Sequence, residues 1–132
     1  MIMGHHAGAK IAYGYDLGDD DSGWNIREVD EHGSIGLDWH DEDDDFASSL
    51  ERRMKAVGVT GVKMDLYGYE WSAVFLAGPV VAEHSGCGSV AFDASLMGET
   101  GVYWDGYLRD VCTVLGITPT GPCGWHLLVK YG

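Results

Sequence analysis

The chain has 132 residues, 45% of them hydrophobic, and a formal net charge of -13 at pH 7. This length suits one compact domain with a true core and is too short for two of ordinary size. The 21 acidic against 8 basic side chains argue against direct binding to a nucleic-acid backbone or an anionic membrane, because both require a basic surface. No apolar run approaches the roughly 18 residues of a membrane-spanning helix. The three cysteines, an odd number, favour a reducing, cytoplasmic location over a closed disulfide framework.

The ordered domain is expected to begin a few residues inside the chain. Residues 1–9 are predicted to form a mobile lead-in, and residues 10–132 are predicted to form a single domain. His5 and His6 lie in the lead-in, and two histidines are too few to identify a purification tag. The sequence therefore leaves open whether these two residues are native.

Three short strands joined by tight turns are predicted for the first third of the domain. Residues 10–17, 24–29 and 34–39 each alternate apolar and polar side chains, which is the period of a half-buried strand. The segments 18–23 and 30–33 between them are rich in Gly, Asp and Ser, the residue types of turns. The pattern predicts an antiparallel meander.

The clearest helix is predicted for residues 46–57. One apolar stripe with the 3.6-residue period is formed by Phe46, Leu50, Met54 and Val57. Acids at positions 43–45 precede the stripe, where an N-cap and first-turn carboxylates belong. Gly58 follows the stripe and is the expected stop.

The second half of the chain predicts further strands. Residues 62–71 alternate, and residues 73–82 are almost continuously apolar around Pro79. Because proline donates no ladder hydrogen bond, the latter segment is either an edge strand or two short strands broken at Pro79. Residues 89–92 are also compatible with a strand.

A second helix and a closing strand complete the prediction. The helix is expected over residues 102–115, and the strand over residues 125–131. The buried stripe of the helix is expected to be Leu108, Val111, Cys112 and Leu115. The fold class predicted is α+β: a mostly antiparallel sheet with two helices packed on one face. Each half ends with a helix, a Gly-[Val/Ile]-Thr segment and a strand, which indicates either a duplicated ββαβ unit or a chance recurrence.

Acidic residues concentrate in one segment of the chain. Residues 16–45 contain thirteen acids and one base, a net charge of -12, whereas the remainder carries eight acids and seven bases. Turn solvation and helix capping explain part of this run, but they do not require five consecutive acids, which repel one another. An EF-hand loop with Gly23 at its sixth position would begin at Gly18 and end at Val29, so that calcium pattern fails. An irregular calcium or magnesium site at residues 19–21 remains an alternative.

The third interpretation of the acidic segment is a surface that binds a basic partner. Tryptophans flank the acids, and aromatic rings beside carboxylates suit an interface with an Arg-rich protein. The predicted partner-binding residues are Asp19, Asp20, Asp21, Trp24, Trp39, Asp41, Glu42, Asp43, Asp44 and Asp45.

The sequence GWNIREVDEHGSIGLDWHDEDDDF in this segment resembles the N-terminal part of small uncharacterised acidic proteins encoded by phages of high-GC actinobacteria. The resemblance covers about a quarter of the chain and consists mostly of turns and acids. It transfers no catalytic residue. It implies a phage accessory protein that acts in the cytoplasm of a host cell.

Two short spacings, His84-x2-Cys87 and Cys123-x2-His126, form a mirrored pair. Four such ligands would make a Cys2His2 zinc site if the two strands that carry them meet at one end of the sheet. Alternatives are a Cys87–Cys123 disulfide, or a thiol nucleophile at Cys87 with one of the histidines as its base. Chance also produces such spacings in a Gly-rich chain, and we expect no metal or other cofactor.

The first function predicted is non-enzymatic: a phage accessory inhibitor or adaptor whose acidic segment occupies a basic surface of a host protein, for example a surface that binds nucleic acid. The alternative is a small-molecule pocket protein or a small hydrolase that uses the His84/Cys87/Cys123/His126 corner, with or without zinc.

Overall fold

The computed structural model describes residues 7–86, 88–98 and 101–131. In chain order its strands are β1 (Ala7–Asp19), β2 (Gly23–Trp24), β3 (Lys63–Tyr69), β4 (Ala73–Ser85) and β5 (Gly124–Tyr131). Its helices are α1 (Phe46–Ala56) and α2 (Gly101–Leu115), with a 3-10 turn at Ala94–Met97 before α2. The predicted α+β class and the mostly antiparallel sheet are confirmed. Neither α-helix in the described part of the chain is long and apolar enough to cross a membrane.

The sheet curls until its ends meet. Its strand order is β2-β1-β4-β3-β5, and β1 pairs with β5 as well as with β4, so four strands close into a ring. The closing contact is a short parallel pairing in which Gly68 and Tyr69 lie beside Lys130 and Tyr131. All other pairings between the named strands are antiparallel. The ring gives the sheet an inner and an outer face.

Both helices cover the outer face, as predicted. The expected core residues are Phe46, Leu50, Met54, Leu108, Val111 and Leu115, and each is at most 6% exposed. They form one cluster with outward-facing side chains of β1 and β4, among them Leu17 and Leu76. A stripe on each helix therefore packs on the same side of the sheet.

The inner face of the ring is small and mixed in chemistry. Ala12, Phe75, Ala77 and Leu128 form its apolar centre, and each is at most 3% exposed. Because side chains alternate along β1, Gly8, Lys10 and Asp16 share the inner face with Ala12. Charged side chains therefore lie inside the ring at both ends of its apolar centre.

The predicted meander is wrong between residues 25 and 39. There the described chain forms isolated bridges, Ile26 with Pro119 and Val29 with Ile35, and no further strand after β2. The side chain of Asp30 holds this segment in a turn by accepting hydrogen bonds from the backbone N–H groups of His32 and Ser34. The alternation of apolar residues here reflects packing of a loop against the helices rather than strand pairing.

Other predictions need smaller corrections. The strand expected at 89–92 is absent from the described residues, so the second half reads β4-α2-β5 and does not repeat the ββαβ order of the first. β4 passes through Pro79 as one strand, and the ladder between β1 and β4 is irregular beside it. β1 begins at Ala7, three residues before the predicted start of the domain.

Candidate functional site: an acidic cleft

A cavity of about 670 Å³ opens beside the start of α1, and we call it the acidic cleft. The carboxylates that line it are Asp20, Asp30, Glu42, Asp44 and Asp45. Aromatic residues that line it are Trp24, His40, Phe46 and Trp71. No Lys or Arg is present among the described residues that line this cleft. The fold therefore brings acids from the turn after β1, from the long loop and from the helix start around a partly aromatic surface.

Phe46 forms the base of the acidic cleft. It is only 4% exposed, and the ring of Trp24 meets it edge-on at a centroid distance of 4.9 Å. His40 meets the same ring at 5.9 Å, and Trp39 stacks on it at 6.1 Å. These contacts join the cleft to the helix-side core, so the base is fixed by the packing that folds the protein.

Several carboxylates of the acidic segment accept hydrogen bonds from backbone N–H groups of their own turns. Asp45 is the N-cap of α1 and accepts a 2.7 Å hydrogen bond from the N–H of Ser48, which lowers the pKa of Asp45. Backbone hydrogen bonds from Ser34 and His32 likewise lower the pKa of Asp30. Asp19 and Asp41 accept backbone hydrogen bonds in the same local manner. The capping and turn interpretation is therefore correct for part of the acidic run.

Other carboxylates have no such role. Within the described part of the chain, Asp20 and Glu42 accept no hydrogen bond and form no ion pair, and both are exposed at the cleft. Asp44, by contrast, accepts a 2.9 Å hydrogen bond from the backbone N–H of Asp45 and also forms an ion pair with Arg52, with 2.6 Å between Nη2 and Oδ2. Asp20 and Glu42 are thus the lining acids that take no part in the described hydrogen bonds and ion pairs, and we call them the uncommitted carboxylates.

The remaining predicted partner-binding residues lie around the cleft rather than in it. Asp19 is the last residue of β1, Asp21 lies in the turn after it, and Asp41 and Asp43 lie in the loop before α1. Trp39 is half-buried, and its indole Nε1 donates a 2.7 Å hydrogen bond to the backbone oxygen of Leu115. The contacts of Trp39 are those of a residue that ties the loop to α2.

The described members of the proposed metal corner do not converge. His84 pairs with Ala9 and His126 with Ala12, positions on opposite faces of β1, and His126 packs on Phe75 inside the ring. Cys87 lies outside the described residues. No group of three or more His, Cys, Asp or Glu side chains suited to a metal is present in the part of the chain that the structure describes, residues 19–21 included.

The two described cysteines are poor nucleophiles at neutral pH. Burial raises the pKa of the Cys112 thiol to about 12. Burial, together with the neighbouring Asp105, raises the pKa of Cys123 to about 12 as well. Because the thiolate is the reactive form, neither thiol favours the hydrolase alternative.

Sequence reasoning missed the role of Trp71 and the charges inside the ring. Trp71 follows β3 in a tight turn, lines the acidic cleft and is 46% exposed. Glu70 and Trp71 both have a φ of 56°, a region that residues other than glycine, asparagine and aspartate seldom adopt. Lys10 and Lys130 bind opposite oxygens of Asp65 inside the ring. The available signal was a lysine or aspartate at inward positions of otherwise apolar strands.

Comparison with protein-family models, curated proteins and solved structures finds no match to this chain.

Proposed function

We propose that this protein is a non-enzymatic acidic binding protein that uses the acidic cleft to bind a basic surface of another protein. The proposed biological role is that of a phage accessory inhibitor or adaptor, and the proposed partner is a host protein. The observation that carries the proposal is the presence of two uncommitted carboxylates, Asp20 and Glu42, in a cavity lined by Trp24 and Trp71.

The chemistry of the acidic cleft suits a side chain that carries a guanidinium or ammonium group. Carboxylates attract its charge, and an indole face adds a cation–π contribution of about 0.5–2 kcal/mol. Arginine fits better than lysine, because its planar group stacks on rings and binds a carboxylate with two hydrogen bonds. The cavity exceeds the volume of one such group, so one or two side chains from a loop or helix of the partner would enter it.

The wider acidic segment supports fast association. A net charge of -12 over residues 16–45 produces a negative field that steers a basic partner toward the cleft. This steering acts on the association rate and weakens with salt, because charges in solution are screened over about 10 Å at 0.1 M ionic strength. The buried base at Phe46 keeps the cleft open before binding, which lowers the ordering cost of association.

Calorimetric titration with a short peptide of alternating arginine and glycine tests the proposal. A variant that combines Asp20→Asn and Glu42→Gln should bind the peptide at least roughly tenfold more weakly than the wild type. A lysine–glycine peptide should bind the wild type more weakly than the arginine peptide. Wild-type affinity should fall steeply between low and high salt.

The matched control combines Glu51→Gln and Asp110→Asn, which removes the same charge from exposed positions on α1 and α2. If net charge alone attracts the peptide, the two double variants will lose affinity equally. Equal losses would contradict a role for the cleft.

A further inference from the structure

A second cavity, of about 380 Å³, lies at one mouth of the strand ring, and we call it the lysine mouth. Its lining includes Gly8, Lys10, Trp71, Glu83 and Lys130. Its volume falls within the range of about 300–1,000 Å³ typical of small-molecule sites. Because Gly8 has no side chain at this inward position of β1, the mouth stays open above the lysines.

The lysines of this mouth share a single buried counter-ion. Lys10 Nζ lies 2.5 Å from Asp65 Oδ2, and Lys130 Nζ lies 3.2 Å from Asp65 Oδ1. The side chains of Lys10, Lys130 and Asp65 are only 14%, 23% and 15% exposed, respectively. The buried part of the mouth holds two cations and one carboxylate, and the exposed Glu83 balances the remaining positive charge from the solvent side, so an anion has to compete with Glu83 for it.

The ammonium groups of Lys10 and Lys130 have more N–H donors than the described residues provide acceptors for. Each ammonium has three donors. Lys130 donates to Asp65 alone among the described residues, and Lys10 donates to Asp65 with Glu83 3.7 Å away. Glu83 is 62% exposed and extends toward solvent, so it is a weak and displaceable acceptor for Lys10.

An aromatic surface adjoins these donors. Trp71 lines the lysine mouth as well as the acidic cleft, and it is 46% exposed. Its turn is held against β5 by a 2.6 Å hydrogen bond from the N–H of Glu70 to the backbone oxygen of Tyr131. This bond keeps the tryptophan next to Lys130, at the end of the same strand.

We infer that the lysine mouth binds a small aromatic oxyanion, a planar ring that bears a carboxylate or a phosphate. The oxyanion accepts hydrogen bonds from Lys10 and Lys130, and the ring packs on Trp71. Glu83 is the one acid among the described residues that line this mouth, and five acids of residues 16–45 line the other cavity instead, so Glu83 is the main local source of repulsion for the anion. This site is separate from the protein-binding role proposed for the acidic cleft.

The test uses benzoate and phenyl phosphate as probes, with benzyl alcohol as the uncharged match, in titrations followed by NMR. Both anions should bind the wild type with a Kd on the order of 1 mM, and benzyl alcohol should bind at least about tenfold more weakly. Stronger binding of one anion than the other identifies carboxylate or phosphate as the preferred group. Equal binding of benzyl alcohol would overturn the inference.

Three variants locate the site. Lys130→Met should weaken both anions at least roughly tenfold while Lys10 continues to neutralise Asp65, and Lys55→Met on the exposed face of α1 is its matched control. Glu83→Gln removes the competing acceptor and should strengthen binding severalfold. If Lys130→Met fails to fold, the Glu83→Gln result decides: unchanged or weaker binding of both anions would overturn the proposal, as would unchanged binding by a folded Lys130→Met.

Discussion

The acidic cleft and the lysine mouth both include Trp71, but their charged groups are held in opposite ways. Acids of the cleft lie in loops, where Asp30, Asp44 and Asp45 accept backbone hydrogen bonds from their own turns and, among the described residues, Asp20 and Glu42 accept none. Lys10, Asp65 and Lys130 lie on three different strands and bind one another across the ring. The charges of Asp20 and Glu42 are therefore separable from folding, whereas the charges of Lys10, Asp65 and Lys130 are part of it.

Burial explains this difference. An exposed carboxylate keeps most of its hydration, so neutralising it changes little beyond the field around it. An ion inside the ring has lost much of its water and depends on its partner. A site built from exposed charges tolerates substitution and suits fast, salt-dependent association. A site built from buried charges keeps its stability only if both partners of an ion pair are substituted together.

The largest expected effect concerns the base of the cleft. Phe46→Ala removes a ring that is 4% exposed and that contacts Trp24, Trp39 and His40. We expect the free energy of unfolding, measured by urea denaturation, to fall by about 4 kcal/mol. A loss below about 1 kcal/mol would mean that the cleft has no structural base at Phe46.

Removal of the shared counter-ion in the ring comes next. Asp65→Ala leaves Lys130 without an ion partner among the described residues and Lys10 with only the exposed Glu83, and we expect a loss of about 3 kcal/mol in the free energy of unfolding. Asp110→Ala, at an exposed position of α2, should change it by less than about 0.5 kcal/mol. Similar effects of the two substitutions would contradict the contrast between the regions.

Acid should destabilise the protein through the same carboxyl group. Burial alone would raise the pKa of Asp65, but the hydrogen bonds and charges of Lys10 and Lys130 outweigh it and hold the pKa below its ordinary value. The stabilisation from this lowered pKa is present above the unfolded-state pKa of about 4 and is lost as the pH falls through the folded-state value. Urea titrations of wild type and Asp65→Ala across this range should therefore converge as the pH falls below about 4.

A smaller gain is expected at the turn that the two cavities share. Glu70 has a φ of 56°, and asparagine tolerates this left-handed region better than glutamate does. Glu70→Asn should raise the free energy of unfolding by about 0.5 kcal/mol and leave Trp71 in place. A destabilised variant would indicate that the glutamate side chain itself supports the turn.

The smallest effect is expected for the cleft acids. Asp20→Asn combined with Glu42→Gln should change the free energy of unfolding by less than about 0.5 kcal/mol, or raise it slightly by relieving repulsion. Thermal unfolding at low salt is the sensitive measurement. A clear loss of stability would show that these carboxylates are committed to the fold after all.

The sequence predicted the elements whose signals are local. The apolar stripe from Phe46 to Met54 lies within α1, and the cap at Asp45 and the stop at Gly58 flank it, so the spacing of these residues locates the helix. The false strands have an equally local cause. Apolar side chains such as Ile35 and Leu37 alternate because a loop held by the turn at Asp30 packs on the core. Alternation does not distinguish that packing from a ladder.

Contacts between distant parts of the chain could not be predicted from the local sequence patterns. The ring closes through a two-residue parallel pairing of Gly68 and Tyr69 with the end of β5, roughly sixty residues away. That closure brings Lys10, Asp65 and Lys130 together and sets Trp71 beside both cavities. The acid-rich segment could be recognised from composition alone. Asp20 and Glu42 could be distinguished from the other acids only once the structure showed which carboxylates accept hydrogen bonds.

The indole N–H signals of the five tryptophans provide the most direct test of the acidic cleft. Trp24 and Trp71 line the cleft, whereas Trp104 packs against Tyr107 and the indole of Trp125 donates to the backbone oxygen of Met97, so these two act as internal controls. Two-dimensional NMR during titration with the arginine–glycine peptide should shift the signals of Trp24 and Trp71 and leave those of Trp104 and Trp125 unmoved. Binding that shifts the two control signals, or that leaves Trp24 and Trp71 unchanged, would contradict recognition of a basic partner at this cleft.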